Sequence, residues 1–198
     1  MELSVDRAAV LRYLHMGGVT PDDALAERLD RVEAAVLAAA RPRAYWRLET
    51  VTFAADGTYA VGPLRLASRD LARHLNGCAH AYLFCATIGA EVDALTRRYA
   101  QTSGADALMA HAVGATLVEA WCDACEEKLL AEPAVAGERL RFRFAPGYGD
   151  LPLAVQRELL GLLDSARRAG IVLTDDLLMI PSKSVSAIIG VAGVTLNR

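Results

Sequence analysis

The stretch "AYLFCATIG", residues 81–89, constrains the fold of this chain more than any other. It carries no charge, is built from residue types that fill pleated surfaces, and has the length of a strand rather than a helix. A strand without polar alternation is buried on both faces and belongs at the centre of a sheet. Residues 90–100 and 105–131 then read as helices. In the second, Ala, Leu, Met and Val take up most of the circumference, which places that helix between other elements. With 198 residues, 54% of them hydrophobic, the chain has enough apolar material for one domain with a well-filled core. Strands and helices do not strictly alternate, so the expected class is α+β, a mixed or antiparallel sheet flanked by helices.

The remaining elements fit a single unit over 1–198, with helices and a hairpin in 1–77 and the core in 78–198. Residues 5–15 read as a short helix closed by Gly17 and Gly18. Thr20 is expected to cap a second helix, with Pro21 at its first position, Asp22 and Asp23 in its first turn, and an apolar stripe of Leu25, Leu29, Val32 and Val36. "YWRLETVTFAADGTYAVGPLRL" reads as a hairpin around Asp56-Gly57, and Ser68 opens a helix ended by Gly77. After the long helix come a strand at 139–144, a turn, a helix over 152–169 stopped by Gly170, and strands over 171–180 and 185–191.

A formal net charge of −3 argues against a nucleic-acid binder, which needs a basic stripe to track phosphates. No uninterrupted apolar run reaches the roughly 18 residues of a membrane span, and the acidic start lacks the positive region of a secretory signal. The expected address is the cytoplasm, where four cysteines stay reduced. Cys122 and Cys125 form a CxxC, but in mid-helix, and Cys78 and Cys85 have the wrong spacing for a second zinc pair, so packing is the preferred role. Dinucleotide, P-loop, zincin and hydrolase signatures are missing. His15, His74, His80 and His111 are scattered, and the acidic pairs Asp22-Asp23, Glu126-Glu127 and Asp175-Asp176 read as helix starts or solvated faces. Neither a catalytic residue nor a metal site is expected.

Two loops stand apart. In "RLRFRFAPGYGD" a strand would put Arg139, Arg141 and Arg143 on one face and bury Leu140, Phe142 and Phe144 on the other. Pro146 then fixes the entry to a turn in which Gly147 and Gly149 allow close backbone approach and leave amides for a ligand. A guanidinium at the end of such a strand suits a small ligand with a carboxylate, which its planar fork pairs bidentately. The second loop, "MIPSKSVSAIIGV", gathers Pro181, Ser182, Lys183 and Ser184, with Ser186 beyond them, as candidates for a polar or anionic ligand. Serines that only satisfy the backbone are its competing explanation.

"RFAPGYGDLPLAVQRELLGLLD" followed by "GIVLTDDLLMIPSKSVSAIIGV" resembles the activation domain of cobalamin-dependent methionine synthase, most closely its stand-alone versions. The likeness is strong over about residues 138–191, and "ADALMAHAVGATLVEAWCDACEEKL" is similar to the family's long helix before the turn. The resemblance implies a domain that binds S-adenosylmethionine without a Rossmann fold. It would support reductive remethylation of cob(II)alamin to methylcobalamin in methionine biosynthesis, as an accessory component rather than an independent enzyme. The implied partner is a methionine synthase lacking its own activation domain, which carries the cobalamin, with flavodoxin or ferredoxin as electron donor. Carried over by position, Arg143 matches the arginine that grips the methionyl carboxylate, Ala145 the residue whose backbone bonds the ligand, and Tyr148 the turn tyrosine near the corrin. Gly147 completes the turn, and Glu138 is the candidate acidic contact for the ligand ammonium.

This chain departs from the fused enzymes after the turn, where Gly149, Asp150, Leu151, Pro152 and Ala154 replace a cysteine-bearing segment. A later family segment with a ligand-contacting tyrosine is expected to have no counterpart before Arg198. Two alternatives stand beside this reading: an activator of another corrinoid methyltransferase, and a structural adaptor that has lost its ligand.

Overall fold

A computed structural model describes residues 4–55 and 57–193. Its centre is an antiparallel six-stranded sheet in the order β3-β2-β1-β4-β8-β5. These strands are β1 (Arg43–Phe53), β2 (Tyr59–Val61), β3 (Leu64–Leu66), β4 (Cys78–Thr87), β5 (Arg139–Leu140) and β8 (Ser184–Ala192). The apolar run falls in β4, which pairs with β1 on one side and β8 on the other, so the sheet-centre expectation holds. Alternate residues of β4 serve two cores. Ala81, Leu83 and Cys85 pack with Leu71 and Leu75 of α3 (Arg69–Leu75) and with Leu159 of α6 (Val155–Leu162). Tyr82, Phe84 and Ala86 pack with Cys122, Cys125 and Leu129 of α5 (Gly104–Leu130).

The opposite side of α5 meets α1 (Arg7–Tyr13), α2 (Asp23–Ala39) and α4 (Ala90–Thr102) through Val10, Leu29, Val32, Val92, Val113 and Leu117. This explains a helix apolar nearly all round: sheet lies on one flank and three helices on the other. The long helix leaves one narrow edge open, at His111, Glu119 and Asp123, which recur at helical spacing and are exposed.

Several elements differ from expectation for local reasons. Helix α2 begins two residues later than Thr20 and Pro21 suggest, because the Asp22 carboxylate takes the cap by accepting from the Leu25 amide at 2.8 Å. The hairpin spans β1 and β2 as expected, with Asp56 itself outside the described residues, and a second turn at Gly62 adds β3. The helix over 152–169 breaks where Asp164 adopts a left-handed conformation, leaving α7 (Ser165–Arg168) as a separate turn. The strand over 171–180 folds back on itself as β6 (Val172–Leu173) and β7 (Met179–Ile180), because Thr174 and the two aspartates form a reversal in which the Thr174 hydroxyl accepts from the Leu178 amide.

The strand at 139–144 carries the largest correction. Leu140 pairs with Val191, yet Phe144 pairs with Ile188, so one extra residue has entered the edge between them. Such a bulge reverses the faces of everything beyond it. Leu140 packs on the α5 side and Phe144 on the α3 and α6 side. Phe142 is 61% exposed instead of buried. The guanidiniums diverge too: Arg141 donates to the Asn76 carbonyl at the end of α3, whereas Arg143 turns to α5.

Candidate functional site

Reversal at the bulge delivers Arg143 to the exposed edge of α5. Its guanidinium donates to Glu119 at 2.8 Å, Asp123 at 2.8 Å and Glu126 at 2.6 Å. Residues 119, 123 and 126 stand four and three apart, the spacing that lines side chains up on one helix face. Burial works to lower the Arg143 pKa, but Asp123, Glu126 and Glu119 outweigh it and hold the group firmly cationic. Burial raises Glu126 above the ordinary carboxylate range in spite of Arg143 beside it. The cluster therefore holds three carboxylates around one fixed cation. Glu119 also lines a cleft of about 480 Å³ between α1 and α5, together with Arg12, Tyr13 and Thr116.

Past Phe144 the chain enters the turn. The Gly147 amide donates to the Leu151 carbonyl at 2.9 Å and the Tyr148 amide to the Ala145 carbonyl at 3.0 Å. These amides are thus spent within the turn, contrary to the expectation that they stand free for a ligand. Gly147 at φ +89° and Gly149 at φ +56° are both left-handed, and a Cβ on Gly149 would come within 2.5 Å of the Asp70 carboxylate. Asp150 fastens the turn to α3 by accepting from the Ser68 hydroxyl and from the amides of Arg69 and Asp70. These donors, the Ser68 hydroxyl first, hold its carboxyl below the usual range. Tyr148 is left 61% exposed, with Phe144 edge-on to it at 5.3 Å between centroids.

The second loop lies about 12 Å further along α5, two turns from Glu119 at His111. Pro181 follows a cis peptide bond, and its carbonyl accepts from Ser184 at 2.6 Å. Ser182 gives both its amide and its hydroxyl to Asp93, at 2.7 and 2.6 Å. Lys183 is buried and its ammonium sits 3.1 Å from His111 Nδ1. Burial lowers the pKa of both, and the Lys183 charge lowers His111 further, so a neutral imidazole accepts from the ammonium.

The structure thus places Arg143 at one end of the exposed α5 edge and Lys183, with Pro181, Ser182 and Ser184 in its loop, at the other, at His111. The turn of Ala145, Gly147 and Tyr148 follows Arg143 in the chain and is docked on α3 through Asp150. Glu138 stands apart from the Arg143 cluster, with its buried Oε2 lacking a hydrogen-bond partner and lying against Gly193. The acidic neighbours of Arg143 are Glu119, Asp123 and Glu126, which the sequence reading missed. Their signal was present as three acids on one face of an otherwise apolar helix, obscured by reading Glu126 with Glu127 as solvated. His111 was likewise given no part. All four cysteines are free and buried, and burial pushes Cys85 up to about 12 and Cys125 up to about 11. No group of residues suited to a metal ion occurs among the described residues.

The arrangement defines a class first: an antiparallel sheet whose central strand and long helix carry an arginine-entered turn at the sheet edge. A solved structure described as "Crystal Structure of the MetH Reactivation Domain bound to AdoHcy" has this fold, with a TM-score of 0.73 and 20% identity over 98% of this chain and 76% of that one. The family described as vitamin B12 dependent methionine synthase, activation domain, matches residues 71–193, and the chain belongs to that family. No curated protein matches it. Among the described residues no helix is long and apolar enough to cross a membrane.

Proposed function

We propose that this chain binds S-adenosylmethionine along the exposed edge of α5 and supports reductive remethylation of cob(II)alamin, reactivating a cobalamin-dependent methionine synthase that lacks its own activation domain. The reading rests chiefly on the Arg143 cluster. Arg143 offers a fork for the methionyl carboxylate, and Glu119 and Asp123 offer oxygens for the ammonium. A bound amino acid would replace contacts within the cluster by its own paired charges. The surplus of carboxylates over the one cation also suits a ligand that bears a further positive charge on sulfur. The cleft of Tyr13 and Thr116, which shares Glu119, has room for the rest of the ligand.

S-adenosylmethionine supplies a methyl group on a sulfonium, and the protein's part is positional. Arg143 anchors one end of the ligand while the Asp150 cap and the bonded turn amides hold the backbone rigid beside it. Orientation of this kind is worth about 7–11 kcal/mol in favourable cases. Exposed Tyr148 marks the face toward the partner's corrin, and no proton shuttle is required. The activity belongs in the cytoplasm, with flavodoxin or ferredoxin as electron donor.

Isothermal titration with S-adenosylmethionine tests the binding. Saturable one-to-one binding is expected, weakened at least about tenfold in Arg143→Ala, since truncating one partner of a bonded charge pair costs about 2–5 kcal/mol. Absence of binding by the wild-type chain, or unchanged affinity in the variant, contradicts the assignment. Pull-down with methionine synthase lacking its activation domain separates this reading from service to another corrinoid methyltransferase.

A further inference from the structure

Behind the second loop lies a cavity of about 700 Å³ that the Arg143 cluster does not use. Lys183 reaches it from the loop just before β8 by a defined route. Its stem crosses α5 at Gly114, where a Cβ would stand 3.2 Å from the Lys183 Cε and 3.3 Å from Val92. Glycine in a helix interior costs about 1 kcal/mol relative to alanine, and here the space it leaves is filled by the lysine. The backbone at this residue is fixed, because its carbonyl accepts from both the Thr87 hydroxyl and the Ile88 amide.

Lys183 as a residue is more than nine-tenths buried, and its ammonium has the neutral ring of His111 as hydrogen-bond partner. The nearby carboxylate, Asp93, is occupied by the amide and hydroxyl of Ser182. Arg97 lines the same cavity from α4, is exposed, and makes no ion pair among the described residues. Two cations against one engaged carboxylate leave a single positive charge. The remaining wall is mainly apolar, with Leu153 from the turn ahead of α6 and Leu177 and Met179 from the β6–β7 hairpin, alongside Thr96, Gln156 and Thr174.

We infer that this cavity is a second ligand site, separate from the Arg143 cluster, that takes a small aliphatic monocarboxylate: its carboxylate meets Lys183 and Arg97, and its chain lies on the leucine wall. A monoanion matches the single net charge, and a chain of several carbons matches the wall, since buried apolar surface contributes roughly 25 cal/mol per Å².

The full chain is titrated calorimetrically with sodium hexanoate and, as the uncharged match, hexanamide. Saturable binding of hexanoate is expected, with hexanamide at least about tenfold weaker, because a charge-assisted contact is lost. Lys183→Met keeps the stem over Gly114 and removes the charge, and should weaken hexanoate about tenfold or more. Arg97→Gln, on the exposed rim, should weaken it about threefold and keeps the test decisive if Lys183→Met fails to fold. Arg143→Ala should leave hexanoate affinity unchanged. Equal affinity for acid and amide, indifference to both cavity variants, no saturable heat with hexanoate, or loss of binding in Arg143→Ala overturns the inference.

Discussion

Arg143 serves two ends at once, tying the irregular edge beyond β5 to α5 and keeping Glu119, Asp123 and Glu126 from repelling one another. Its removal should therefore cost stability as well as ligand, about 1–2 kcal/mol at pH 7, given that the carboxylates are partly solvated. The sign of the pH dependence follows from Glu126. Its pKa is already raised in the folded chain and rises further once the cation is gone. A carboxyl raised on folding contributes stability below its unfolded value, near about 4.3, and loses that contribution as pH rises through the folded value. Urea unfolding should accordingly show a larger deficit for Arg143→Ala at pH 7 than at pH 4.5. An equal deficit at both would mean that the cluster is not electrostatically coupled. The cysteines give a second check at this scale. With every thiol buried and the CxxC inside α5, a thiol reagent should react only as fast as the chain unfolds. Rapid reaction of Cys122 or Cys125 in the native protein would contradict the packing role.

At the scale of elements, the turn is a docked unit whose anchor is Asp150. Its carboxyl is lowered on folding, so its contribution is present above the unfolded value near about 3.9 and is lost as pH falls toward the folded one. Asp150→Asn should be less stable than wild type at pH 6, and the gap should close below pH 4; a gap that persists into acid would point away from the carboxylate. Gly149→Ala is strained twice, by its left-handed backbone and by the Asp70 contact, and should destabilise the chain by about 1–3 kcal/mol in the same assay. Elements whose signal is local were legible in the sequence. Strand β4 and helix α5 declared themselves because burial on every side leaves no polar period to misread. The bulge between Leu140 and Phe144 did not, since the alternation of arginines and apolar residues is unbroken and only pairing with β8 reveals the inserted residue. The break at Asp164 and the reversal at Thr174 were hidden inside longer favourable patterns, the one set by a left-handed backbone at a single residue and the other closed by a side-chain bond.

For the molecule as a whole, the sheet takes β1, β2 and β3 from the first half of the chain and β8 and β5 from the second, with α5 packed across its middle. One open edge of that helix carries the Arg143 cluster near one end and His111 near the other, and both motif loops reach it. The sequence could rank the loops as candidates but could not show that they share a helix edge, because that juxtaposition depends on long-range strand pairing. Most directly, the central claim is tested by mixing cob(II)alamin-loaded methionine synthase lacking its activation domain with this chain, S-adenosylmethionine and a one-electron donor, and following the corrinoid absorbance. The account predicts conversion to the methylcobalamin spectrum that requires both this chain and S-adenosylmethionine and is lost in Arg143→Ala. A spectrum that stays at cob(II)alamin, or conversion that proceeds equally well without this chain, would contradict it.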